Sequence, residues 1–189
     1  KSVFKKINKN TNVKLTHIID VPNLESVYMC PSFFTQQNFG KYILEYFNIT
    51  EPLLNLEKWN LNLKFDKTII IGIVGKYIGM TDTYKSIVEA ITHSCIKHSI
   101  NLKIKWINSR VEVDFDEIKQ CEGIIVPGGY ASSGVENKIN VIQYCRETNI
   151  PILGICLGCQ LMVVEFFRNV MQWKNACSRE FDSDTDTEI

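Results

Sequence analysis

Hydrophobic and polar positions alternate with three different rhythms along this chain. Between Phe39 and Phe47, apolar and aromatic residues fall at Phe39, Tyr42, Ile43, Tyr46 and Phe47. That spacing puts them on one face of a short amphipathic helix. Thr68 to Val74 is a continuous β-branched and apolar run, the pattern of a strand buried on both sides. Next, Tyr84, Ile87, Val88, Ile91 and Cys95 share a helical face, with Thr81 or Asp82 placed to cap that helix. Leu102, Ile104 and Trp106 alternate with Lys103 and Lys105, which predicts a half-exposed strand. Gly123 to Val126 is another apolar strand. Ile139, Ile142 and Cys145 mark a helix, and Ile150 to Ile155 the next strand. A further apolar, helix-compatible run follows Cys156.

Strands that alternate with helices predict an α/β fold: an open, mostly parallel sheet with helices on both faces. Right-handed crossovers would bring the loops after Val74, Val126 and Ile155 to one edge, where open α/β sheets bind ligands. Lys1 to Asn12, with Lys1, Lys5, Lys6 and Lys9, reads as a solvated basic terminus. Asn48 to Phe65 lacks clear periodicity and reads as a surface linker.

Composition adds boundaries. The 189 residues are enough for one domain and an appendage, and 45% are hydrophobic. Lys+Arg number 21 and Asp+Glu 21, so no bulk charge recruits nucleic acid or a membrane surface. No apolar run is long enough to span a bilayer, and no signal-peptide pattern opens the sequence. Seven cysteines lack the dense spacing of a disulfide scaffold, so a cytoplasmic setting with reduced thiols is expected. Cys30, Cys95, Cys121, Cys145 and Cys177 read as small apolar groups, buried or half-buried.

The candidate chemistry sits in Gly154-Ile155-Cys156-Leu157-Gly158-Cys159-Gln160. This Gly-x-Cys-x-Gly element follows a strand and opens a helix, the pattern of a nucleophile elbow. Gly154 and Gly158 allow the sharp turn, and the helix N-terminus favours a thiolate at Cys156. Upstream, Pro127-Gly128-Gly129-Tyr130 forms a loop after the preceding strand. Backbone N–H groups of Gly129 and Leu157 are placed to hold a developing oxyanion.

Together these residues carry a family resemblance. Gly75-Lys76-Tyr77, Pro127 to Tyr130, Gly154 to Gln160, Glu165 to Val170 and Ser178-Arg179-Glu180-Phe181 resemble the glutaminase domain of the CTP synthase family. The Gly-x-Cys-x-Gly-x-Gln element is common to class I glutamine amidotransferases. Asp20 to Tyr28 resembles the end of that family's synthetase domain. The resemblance implies the class I glutaminase (flavodoxin-like) fold. It also implies three parts: residues 1–47 from the end of a synthetase domain, 48–66 a linker, and 67–189 a glutamine amidotransferase domain that is incomplete at its C-terminal side. It implies Cys156 as nucleophile and Gly129 and Leu157 as the oxyanion hole. Gly128, Gly129, Tyr130, Leu157, Gln160 and Glu180 would bind L-glutamine. ATP and Mg2+ as substrates and cofactor of the parent, GTP as activator, and a homotetramer are implied likewise. No metal site is expected in this stretch, and no cofactor.

The sequence departs from the family pattern at Ala131, Ser133, Asn137, Cys159 and Arg179. The family's base is a His in a His-x-Glu element after the Cys, and residues 157–189 contain no histidine. Two other functions follow from that. Cys156 and Cys159 form a Cys-x-x-Cys at a helix start, the arrangement of a thiol redox pair. A catalytically dead glutaminase-like domain with a regulatory role is the other. Gly72 to Lys76 lacks the spacing of a phosphate loop. Asp182, Asp184 and Asp186 lack the glycine and the terminal glutamate of a calcium loop.

Overall fold

The computed structural model describes residues 2–50, 65–129 and 133–179, without the side chains of Ser2 and Thr81. The chain divides into two compact units, Lys1–Asn62 and Leu63–Ile189.

The first unit is helical. Helix α1 spans Ser2–Asn10, α2 spans Cys30–Gln36 and α3 spans Phe39–Tyr46. The basic segment expected to be a solvated terminus is therefore a helix. Lysine has high helix propensity, and Val3, Phe4 and Ile7 share one side of it. Helix α2 starts with Pro31 in its first turn, where the missing N–H costs nothing. Helix α3 starts where its periodicity predicts and ends one residue before the expected Phe47, which caps it, and Tyr42 meets His17 edge to face at 4.6 Å.

The second unit is a four-stranded parallel sheet in the order β2-β1-β3-β4. Strand β1 is Lys67–Gly75; helix α4, Lys85–Lys97, leads from it to β2, Ile100–Asn108. Helix α5, Phe115–Lys119, precedes β3, Gly123–Val126. Helix α6, Val135–Thr148, connects to β4, Ile152–Gly154, and α7, Leu157–Asn169, follows the elbow. In register, Ile71 lies beside both Ile104 and Gly123, and Val126 beside Gly154. The core is aliphatic: Val74, Ile107, Ile118, Ile124, Val126, Ile142, Leu157 and Leu161 are buried together. This is the expected α/β architecture. Cys95, Cys121, Cys145 and Cys177 are buried and Cys30 is half-buried, as their reading as apolar groups requires.

Two local expectations fail. Neither Thr81 nor Asp82 caps α4, which is entered through a 3-10 turn at Thr81–Tyr84 and begins at Lys85 with no side-chain cap. Tyr84 causes the tighter turn. Its ring is buried, and its hydroxyl accepts a hydrogen bond from the Tyr77 N–H at 3.4 Å. Strand β4 is also shorter than the apolar run predicts, because Ile150 and Pro151 precede the ladder and Ile155 already belongs to the turn. Among the described residues no helix is long and apolar enough to cross a membrane.

Candidate functional site

Parallel strands with right-handed crossovers put the ends of β1, β3 and β4 on one edge. The chain leaving β4 turns at Ile155-Cys156 and enters α7. Cys156 has φ 53° and ψ −113°, a conformation that is strained for a side chain-bearing residue. Two glycines permit it. A Cβ on Gly154 would lie 2.5 Å from the Gly158 carbonyl carbon, and one on Gly158 would overlap the Val126 carbonyl oxygen. The turn is thus pinned between β4 and β3 with no room for any other residue at either position. The Gly158 N–H bonds the Ile155 carbonyl at 2.9 Å, and the Ile155 N–H bonds Val126 at 2.9 Å. Cys156 is left exposed at the top of the turn.

It faces a cavity of about 370 Å3 lined by Cys156, Pro127, Gly128, Gly129, Tyr77 and Tyr84, with Thr83 and Ile87. Gly128 comes close to the thiol: a Cβ there would sit 3.3 Å from the Cys156 Cβ and 3.8 Å from Sγ. A Cβ on Gly129 would lie 3.9 Å from the Leu157 side chain, so the Gly-Gly loop and the helix start are neighbours. Among the described residues, neither the Gly129 nor the Leu157 N–H donates to another backbone group.

The other expected residues fall out as follows. Gln160 lies in the first turns of α7, half-buried, and its side-chain oxygen accepts a hydrogen bond from the Ser178 hydroxyl at 2.9 Å. This ties α7 to the segment that leads to Glu180. Tyr130 and Glu180 themselves lie outside the described residues, as do Ala131 and the Asp182 to Asp186 stretch. Cys159 is exposed one turn into α7. Among the described residues no histidine lines the cavity; His93 and His98 are exposed on and just after α4. Among the described residues, no cluster of three His, Cys, Asp or Glu side chains could hold a metal ion.

Two features escape the sequence reading. Tyr84, read there as one position on a helix stripe, walls the cavity and stacks on Trp106 at 6.1 Å. Lys138 is the second. It lies on α6 with its side chain 1% exposed, and its Nζ would be 4.0 Å from a Cβ on Gly129. Lys76, 6% exposed, brings its Cε within 3.5 Å of the same point. Burial pushes the Lys138 ammonium down to about 8, and the charge on Lys76 adds to the effect. A signal for Lys138 exists in the sequence: it stands three residues after Val135 and four before Ile142, inside the apolar stripe of α6. By contrast, burial raises the Cys145 thiol to about 12, which removes it from any reactive role.

Comparison with known proteins bears on this geometry. Residues 79–186 match the family model described as glutamine amidotransferase class-I. The CTP synthase of Buchnera aphidicola subsp. Schizaphis graminum is 40% identical over 185 residues, which cover 94% of this chain and 33% of that protein. The CTP synthase of Hydrogenobaculum sp. is 38% identical over 191 residues, covering 99% of this chain and 36% of that one. The chain therefore spans about a third of the length of these curated relatives. A solved structure, the glutaminase domain of Trypanosoma brucei CTPS with bound acivicin, superimposes with a TM-score of 0.57. It is 35% identical, over 64% of this chain and 50% of that one.

Proposed function

Because the chain belongs to the class-I glutamine amidotransferase family, we propose that it is the glutaminase portion of a CTP synthase, with Cys156 as nucleophile. The observation that carries this reading is the exposed thiol on a strained elbow, facing a two-glycine loop across one cavity.

The chemistry follows from the placement. The Cys156 sulfur attacks the side-chain carbonyl carbon of L-glutamine, and the C=O electron pair moves onto oxygen. The Gly129 and Leu157 N–H groups stabilise that oxyanion. Collapse breaks the C–N bond. The nitrogen takes up a proton and leaves as ammonia, and the carbon stays on sulfur as a thioester. Water then attacks the thioester, releasing glutamate and restoring the thiol. Gly128 and Gly129 line the cavity, and the family resemblance adds Tyr130, Gln160 and Glu180 to the residues that would bind glutamine. A carboxylate such as Glu180 is matched to the substrate ammonium. The proton delivered to ammonia requires a group that titrates near neutrality. Among the described residues that line the cavity, no histidine supplies it.

In the parent protein the ammonia would aminate UTP, activated by ATP with Mg2+, to give CTP. GTP would promote the glutaminase step, and the assembly would be a homotetramer in the cytoplasm. The nucleotide and Mg2+ do not fit the described residues. Gly72 to Gly75 runs as strand rather than loop, Lys76 is buried, and Tyr84 fills the space beside Gly75. Those groups belong to the synthetase part, and no step here runs through them.

The test uses the full-length protein that contains this chain. A diazo-ketone analogue of glutamine should alkylate Cys156 ahead of the other six cysteines. Cys156→Ala should abolish ammonia release from glutamine and leave synthesis from supplied ammonia intact. First labelling at Cys159 or Cys30, or surviving glutamine turnover in the alanine variant, overturns the reading.

A further inference from the structure

Lysine ammonium groups are almost never fully buried without a compensating carboxylate, because desolvating a charge is costly. Lys138 breaks that rule. Its side chain is 1% exposed, and its ammonium makes no ion pair and no hydrogen bond among the described residues. A charge of the same sign acts on it: Lys76, on the chain leaving β1, converges on the same glycine. The acidic residues of α6 and α7 are engaged elsewhere. Glu136 pairs with Arg168, Glu147 with Arg146, and Glu165 with Arg146.

The position of this charge is specific. The Nζ would be 4.0 Å from a Cβ at Gly129, and Lys138 is absent from the cavity lining. The ammonium therefore lies beside Gly129 without lining the cavity that Cys156 faces. Its location fits no direct contact with glutamine. It does fit action at a distance, because a cation close to an oxyanion-hole glycine adds positive potential where negative charge develops. Such preorganised charge costs nothing at the moment of reaction, since the fold has already met the cost.

We propose that Lys138 is a positioning residue of the glutaminase reaction, its ammonium held beside Gly129 to strengthen the oxyanion hole. The inference rests on the glutaminase reading above. It assigns to α6 a part in the reaction that the elbow and the Gly-Gly loop alone do not provide. An uncompensated buried charge opposes folding, so the fold carries it at a loss of stability and the reaction gains. A lysine kept only for packing would show the reverse.

The experiment compares wild type, Lys138→Met and Lys138→Arg in the full-length protein, with Lys138→Leu as a second neutral variant. Glutamine-dependent ammonia release and thermal unfolding are both measured. Removal of the charge should lower kcat about tenfold or more, a smaller loss than deleting an oxyanion donor outright. KM for glutamine should stay within about twofold, since the ground-state amide carries little charge. The neutral variants should unfold at a higher temperature than wild type. Lys138→Arg should recover most of kcat. Unchanged kcat in Lys138→Met, or loss of folding in both neutral variants, overturns the proposal by making the lysine inert or purely structural. A wild-type protein that releases no ammonia defeats the glutaminase reading itself, and this inference with it.

Discussion

Two buried charges, Glu165 and Lys138, are each 1% exposed, yet their surroundings differ completely. On the α6–α7 flank, the Glu165 carboxylate accepts hydrogen bonds from Arg146 Nε at 3.1 Å to both oxygens and from Arg146 Nη2 at 2.8 Å. Asn169 Nδ2 adds another at 3.1 Å and reaches on to the Gln143 side-chain oxygen. These bonds in turn raise the pKa of Arg146 further. At the carboxyl edge Lys138 finds no carboxylate partner among the described residues. Burial alone therefore says little about the role of a charge; its partners do.

The comparison breaks most visibly if Arg146 is removed. Arg146→Ala would strand the Glu165 carboxylate, and breaking such a buried pair costs about 3 kcal/mol or more. Denaturant unfolding should show a loss of that size, with the elbow chemistry reduced only in step with the folded fraction. A loss under about 1 kcal/mol would mean water already shares the carboxylate.

A smaller effect, of opposite sign, is expected from pH. The folded-state pKa of Lys138 is about 8, below the ordinary 10.5, because of burial and then Lys76. Between these values the unfolded chain binds more protons than the folded one, so stability rises with pH through that window. Below about 8 both states are protonated and the penalty is present in full. Unfolding free energies measured from pH 7.5 to 10 should rise in wild type and lose that component in Lys138→Met. Identical profiles would show that the ammonium is hydrated in the folded protein.

The smallest effect is expected at Cys159, which is exposed and contributes no buried contact. Cys159→Met should change stability by less than about 0.5 kcal/mol and leave glutamine turnover near wild type. Disulfide reductase activity that vanishes with this substitution would instead favour the redox pairing of Cys156 and Cys159.

The sheet was legible in the sequence because buried parallel strands are short apolar runs bounded by turn residues. Gly123 to Val126 is the clearest case, observed with the bounds expected. The elbow was equally legible, since few other patterns place glycine two residues either side of cysteine. Helix α1 was hidden by its lysines, which read as solvent-facing while being good helix formers. Helix α5 is only five residues long, and its signal is local: the Asp114 side chain accepts from the Asp116 N–H and caps it. The entry to α4 could not be read, because it depends on a tertiary event, the insertion of Tyr84 beneath Gly75. Lys138 was visible in the stripe of α6, but its lack of a carboxylate partner among the described residues is a property of space and not of spacing.

The backbone at Cys156 carries a consequence for the history of such a chain. A non-glycine residue at φ 53° and ψ −113° holds about 1–3 kcal/mol of conformational strain, which glycine would release. Stability and reactivity thus pull this one codon in opposite directions. A lineage freed from any need for the thiol drifts easily toward a sturdier, silent descendant, with the surrounding glycines left as a record of the lost nucleophile.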